Sequence, residues 1–145
     1  MAASAWRVYS EAKKYLWNGG IDLDTAAIRI KLVKGTGAAA VSNYATSTFA
    51  SAGTAIVLSG TTTVRTPANI SVRMTDTSAA AFDFDAIVIT VSAATTSVQY
   101  AVVGVSNSYA IAWCKLSTAV FSVGAGSTVT ITPNGCLFKV TGGTT

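Results

Sequence analysis

Hydrophobic and polar positions follow a helical spacing in the opening of this chain and strand-like patterns after Ala26. From Ala5 to Trp17 the spacing is that of a helix: Trp6, Tyr9, Ala12 or Lys13, and Leu16 fall on one side at three- and four-residue intervals. Ser4 is placed to cap its start, because a serine oxygen accepts from the free amides of a first turn. Asn18-Gly19-Gly20 stops it, since Asn and Gly tolerate the left-handed backbone that closes a helix. Ile21 to Thr25 then reads as a short extended link.

From Ala26 to Lys34 the period is two. Ile28, Ile30 and Leu32 point one way and Arg29, Lys31 and Val33 the other, which predicts a half-buried strand. Gly35 to Gly53 is small and polar with Tyr44 and Phe49 as its large anchors, the longest predicted loop; loops of this length are usually functional or mobile. Strands are then predicted at Thr54–Ser59, Thr61–Thr66, Ile70–Thr75, Ala81–Val91, Val98–Val105, Tyr109–Leu116, Phe121–Val123, Thr128–Thr132 and Cys136–Val140. Ser106-Asn107-Ser108 is a hairpin link, and Pro133-Asn134-Gly135 a turn. Many short strands divided by turn signals predict an all-β fold. A single antiparallel β-sandwich, a jelly roll or a tulip-like barrel with one short N-terminal helix would each suit. With no fixed-interval repeat and no linker, the chain reads as one domain over residues 1–145, with an N-terminal helical arm over 1–20 and the β-sandwich over 26–140.

Composition sharpens this. Half of the 145 residues are hydrophobic and 11% are charged, against about 25% charged in a typical soluble domain. A lone monomer would show water a surface of Ala, Ser, Thr and Gly with little charge to hold copies apart. The composition suits a subunit covered by neighbours. The net charge of +4 comes from ten basic residues spread thinly, with only Arg29, Lys31 and Lys34 forming a stripe, so phosphate binding is not indicated. A weak attraction to an acidic protein surface is the more economical reading. The charge-bearing N-terminus has no apolar core of a secretory signal. The charge-free run from Ala86 to Cys114 is broken by Ser, Thr, Gln and Asn and alternates as strands do, so a soluble, cytoplasmically made protein is expected.

Candidate chemistry is sparse. The chain has no histidine, which removes the commonest general base, triad member and zinc ligand together. Asp22 with Asp24, and Asp83 with Asp85, could each hold Ca²⁺ or act as an acid–base pair, but both alternate with apolar residues as a solvent-facing strand does, and a calcium site needs more oxygens. Cys114 and Cys136 lie in apolar strands and read as small buried hydrophobes, free rather than bonded. Trp6, Trp17 and Trp113 could line a sugar-binding platform, Trp6 and Trp17 being eleven residues apart on the predicted helix; as packing anchors they need no such role. No catalytic residue, metal or cofactor is expected.

Longer patterns carry a resemblance. The opening Tyr9-Ser10-Glu11-Ala12-Lys13-Lys14-Tyr15-Leu16-Trp17-Asn18-Gly19-Gly20-Ile21-Asp22-Leu23-Asp24-Thr25 leads into Ile28-Arg29-Ile30-Lys31-Leu32-Val33. Phe82-Asp83-Phe84-Asp85-Ala86, Tyr100-Ala101-Val102-Val103 and Val123-Gly124-Ala125-Gly126-Ser127-Thr128-Val129-Thr130-Ile131-Thr132-Pro133-Asn134-Gly135-Cys136-Leu137 follow in order. This succession resembles a family of small structural proteins of tailed bacteriophages. The resemblance implies a virion component on the outer surface of the head, a decoration or cement protein. Its implied partners are itself, as a homotrimer, and the major capsid protein whose hexamers it bridges, with no direct nucleic-acid or membrane contact. Other members are minor head or tail proteins, so a tail adaptor, tube or fibre-associated role stays open, as does a carbohydrate-binding module for host attachment. Trp6, Arg7, Tyr9, Lys13, Lys14 and Trp17 are the expected partner contacts, a set of aromatics and cations suited to an acidic shell. Equally, the same helix could simply cover an open end of the sandwich.

Overall fold

A computed structural model describes residues 5–37, 41, 48–56, 64–76, 79–133 and 138–141. The fold is all-β with one short helix near the N-terminus. In chain order the elements are β1 (Arg7–Val8), α1 (Ser10–Trp17), β2 (Ile28–Lys34), β3 (Ser71–Asp76), β4 (Ala79–Asp83), β5 (Ile87–Thr90), β6 (Thr95–Val105), β7 (Ala110–Lys115), β8 (Phe121–Val123), β9 (Thr128–Ile131) and β10 (Phe138–Thr141). The main sheet has the order β1-β7-β6-β2, with β8 also pairing β6. A three-stranded sheet, β10-β4-β3, and the pair β5-β9 complete the set, and every pairing is antiparallel.

The hairpin of β6 and β7 forms where the pattern placed it. Val105 N–H donates to Tyr109 O at 2.8 Å and Ser108 N–H to Val105 O at 3.1 Å. Asn107 takes φ 57 between them, a conformation Asn tolerates in tight turns. The run expected over Ala81–Val91 divides instead into β4 and β5, because residues 84–86 leave the ladder and Asp85 N–H donates to Ala68 O. Of the strands expected at Thr54–Ser59 and Thr61–Thr66, the structure describes only isolated bridges to β2, Ala55 to Val33 and Arg65 to Ile30. Residues 57–59 and 61–63 of those segments, Tyr44, Asn134, Gly135 and Cys136 lie outside the described residues.

Both faces of the main sheet are buried, which corrects the half-buried expectation for β2. On one face Ile28, Ile30 and Leu32 of β2 join Ala101, Val103 and Cys114, and meet Phe82, Ile87, Ile89 and Ile131 of the smaller sheets. On the other, Val33, Tyr100, Val102 and Trp113 are covered by Tyr9, Ala12, Val41, Phe49 and Ala52. The reason is coverage. Val41, Phe49 and Ala52, from the chain after β2, lie with Tyr9 and Ala12 over the face that periodicity assigned to solvent.

Two bulges adjust which side chains reach each core. Val103 pairs Ala112 and Gly104 pairs Ala110, so Ile111 is the extra residue and turns into the first core beside Ala112. Val33 pairs Tyr100 and Lys34 pairs Val98, leaving Gln99 extra; its Nε2 donates to Thr118 O at 3.2 Å.

The helix starts at Ser10, not Ala5. Arg7 and Val8 pair with Trp113 and Ala112 of β7 instead, and Tyr9 N–H donates to Ile111 O at 3.0 Å. Pairing in the sheet holds Tyr9 extended, at φ −64 and ψ 144, so it becomes the N-cap and not a helical residue, with no side-chain cap. The expected cap, Ser4, lies outside the described residues. The N-terminal segment is therefore woven into the main sheet.

Candidate interaction surface

The segment read as a partner contact divides into an anchored side and an open side. Tyr9 is fully buried, and its hydroxyl donates to Val41 O at 2.8 Å. Burial pushes its phenol well above the ordinary tyrosine range. Ala12, one turn on, is buried against the same cluster, and Tyr15 stacks on Tyr109 with ring centroids 4.0 Å apart. These contacts fix the inner side of α1. Lys13, Lys14 and Trp17 face outwards, with Trp17 82% exposed. Lys14 Nζ stands 4.0 Å from Glu11 Oε2, a pair too exposed to hold it rigidly.

The six residues grouped by sequence thus do different work. Tyr9 offers no surface to a partner. Trp6 is half-buried, edge-on to Phe84 with centroids 6.4 Å apart. Arg7, exposed on β1, lies over the Trp113 ring at 5.5 Å from its centroid. Lys13, Lys14 and Trp17 share one exposed surface, being three and four residues apart on the helix.

Past Trp17 the chain reverses. Asn18 N–H donates to Lys14 O at 3.1 Å and Ile21 N–H to Tyr15 O at 3.2 Å. Gly19 sits at φ +74, where a side chain would be strained. The expected extended link Ile21–Thr25 is in fact a turn, closed by Asp22: its carboxylate accepts from Asp24 N–H at 3.0 Å and from Thr25 Oγ1 at 2.8 Å. Those two bonds, the Thr25 hydroxyl first, hold the Asp22 carboxyl below the usual carboxylate range. The turn leaves a groove of about 410 Å³ walled by Leu16, Ile21, Leu23 and Val72, with Asp22 and Asp24 on its lip. Val72, on β3, is 47% exposed. Sequence reasoning missed this groove, because Val72 reaches it from a strand distant in the chain.

The other candidates separate. Asp83 Oδ1 accepts from Phe84 N–H, and Asp85 Oδ2 from Asn69 Nδ2. Among the described residues no group of three or more His, Cys, Asp or Glu lies close enough to hold a metal. The three tryptophans form no platform: Trp113 is 6% exposed, Trp6 half-buried and Trp17 open, and Trp6 precedes the helix that carries Trp17. Cys114 is buried and free, and burial pushes its thiol up to about 12. Lys31, grouped by sequence with Arg29 and Lys34, is only 3% exposed. Its amine donates to Phe49 O and to Ala50 O, the second at 3.3 Å, and lies 4.9 Å from the Phe49 ring centroid. The charge-free run Ala86–Cys114 holds β5, β6 and most of β7, and among the described residues no helix is long and apolar enough to cross a membrane.

The class these features define is an all-β protein with one short helix whose outer side is open. Compared with known proteins, the chain matches no family model, no curated protein and no solved structure.

Proposed function

We propose that this chain is a non-enzymatic structural protein of a bacteriophage virion, a decoration or cement protein that binds the outside of the head and stabilises the joints between capsomers. One observation carries the reading: an indole that is 82% exposed stands beside two lysines on a helix whose opposite side is fixed to the core. Trp is the residue most often found at the energetic centre of protein interfaces, and a rigid support lowers the entropy lost when it docks. The low charge of the chain and the resemblance of its ordered motifs to phage structural proteins support the same reading. A clamp that binds only the assembled lattice stabilises that lattice by mass action.

The test is co-sedimentation of the purified chain with undecorated heads. The chain should pellet with heads and raise their melting temperature, and Trp17→Ala should weaken pelleting at least tenfold while leaving the fold intact. A chain that stays in the supernatant at every concentration overturns the reading; one that polymerises alone into open tubes points to the tail.

A further inference from the structure

We infer that the α1 corner joins two copies of this chain, Trp17 of each entering the groove of the other. The inference rests on the reading of the chain as a head-decorating subunit and names what Trp17 docks on there, a neighbouring copy. Two separate features meet at this corner. The groove has apolar walls, Leu16, Ile21, Leu23 and Val72, and an acidic lip, Asp22 and Asp24. Trp17 follows Leu16 directly yet is 82% exposed, so it lies outside the groove of its own chain. A helix places Lys13 and Lys14 one turn before it. The corner therefore offers an apolar knob with cations beside an apolar hollow with carboxylates.

That arrangement is complementary to itself. Asp22 accepts from Thr25 and Asp24 through its carboxylate, which fixes the charge at this place on the lip. The whole chain has six acidic residues, and two of them stand on this lip. A nucleic acid would meet the lysines favourably but be repelled by the lip, whereas a second copy satisfies both. Because knob and hollow adjoin at one corner, each copy can fill the other in the same act, which makes the inferred contact two-fold. It joins units in pairs, whether the unit is a single chain or a closed ring. One indole in each direction covers less area than a permanent interface needs, so the pairing is weak in solution. On a lattice that holds copies side by side, effective concentration strengthens it.

Sedimentation velocity of the full chain over a concentration series tests this. The wild-type mass should rise towards twice that of its unit, and Trp17→Ala, folded by circular dichroism, should remain at the single-unit mass. A charge exchange gives the sharper reading. Lys13→Glu with Lys14→Glu makes knob and lip both acidic; Asp24→Lys, which spares the carboxylate that closes the turn, adds a cation to the lip beside the lysine-bearing knob. Each variant alone should pair at least tenfold more weakly than wild type, and an equimolar mixture should recover pairing. The inference fails if wild type never exceeds one unit, if Trp17→Ala pairs as wild type does, or if the mixture pairs no better than its parts. Head co-sedimentation of wild type separates the two readings: a chain that decorates heads but does not pair sinks this contact alone.

Discussion

Tyr9 and Val41 are joined by a buried 2.8 Å hydrogen bond that ties the start of α1 to a residue packed on the second face of the main sheet. The phenol fills that face while its hydroxyl satisfies a carbonyl that water cannot reach. Tyr9→Phe keeps the ring and orphans Val41 O, so it should cost about 1–2 kcal/mol. In urea unfolding the midpoint should fall with the slope unchanged. An unchanged midpoint would show that the bond is replaced by solvent.

Phe49, packed on the same face, closes on Gly104. A Cβ there would meet Phe49 Cδ2 at 2.5 Å and Tyr109 O at 2.6 Å. Gly104→Ala should therefore destabilise by about 1–3 kcal/mol, the usual range for overpacking. Shrinking the ring with Phe49→Leu relieves one clash and not the other, since the second partner is backbone. The double variant should remain less stable than Phe49→Leu alone.

How far these contacts could be read beforehand depends on where their partners lie in the chain. β6 and β7 were legible because two short apolar runs flank a polar link, and each strand is the other's partner. Strand β1 was not. Arg7 and Val8 sit inside a helical spacing, and only the distant Trp113 and Ala112 make them extended. Tertiary pairing there overrides local propensity. Lys31 is a similar case: period two assigned it to the outer face, and nothing nearby in sequence announces that Phe49 and Ala50 cover that face. Of the candidate surface, Lys13, Lys14 and Trp17 were legible from their types and spacing, whereas the groove needed Val72 from β3.

Cys114 lies in the first core, and its thiol, pushed up to about 12, is almost wholly protonated near neutrality. Thiolate is the reactive form, so burial protects the thiol both by shielding it and by suppressing its ionisation. In a chain carrying Cys136→Ser, iodoacetamide at pH 8 should leave the folded protein unlabelled over hours. Unfolding in guanidinium should label it within minutes. Rapid labelling of the folded chain would mean that this core opens readily.

Lys31 gives the fold a pH dependence of definite sign. Burial lowers its amine from the ordinary 10.5 to about 8, so at neutral pH it is still mostly charged, held over Phe49 with the carbonyls of Phe49 and Ala50 as acceptors. Between about 8 and 10.5 the unfolded chain keeps a proton that the folded chain has released. Stability therefore rises with pH across that window, and the gain is lost again as pH falls through about 8. The full span corresponds to roughly 3 kcal/mol, of which about 1 kcal/mol falls between pH 8 and 9. Cys114 and Tyr9 act in the opposite sense at higher pH, because their folded forms hold protons that the unfolded chain gives up. The comparison that isolates the lysine is the difference between wild type and Lys31→Met, since both share the other groups. Urea unfolding at pH 7.5, 8, 8.5 and 9 should show wild type gaining about 1 kcal/mol relative to the variant. Parallel pH profiles would mean that the amine reaches water in the folded state, and that the cover over the second face is looser than its contacts indicate.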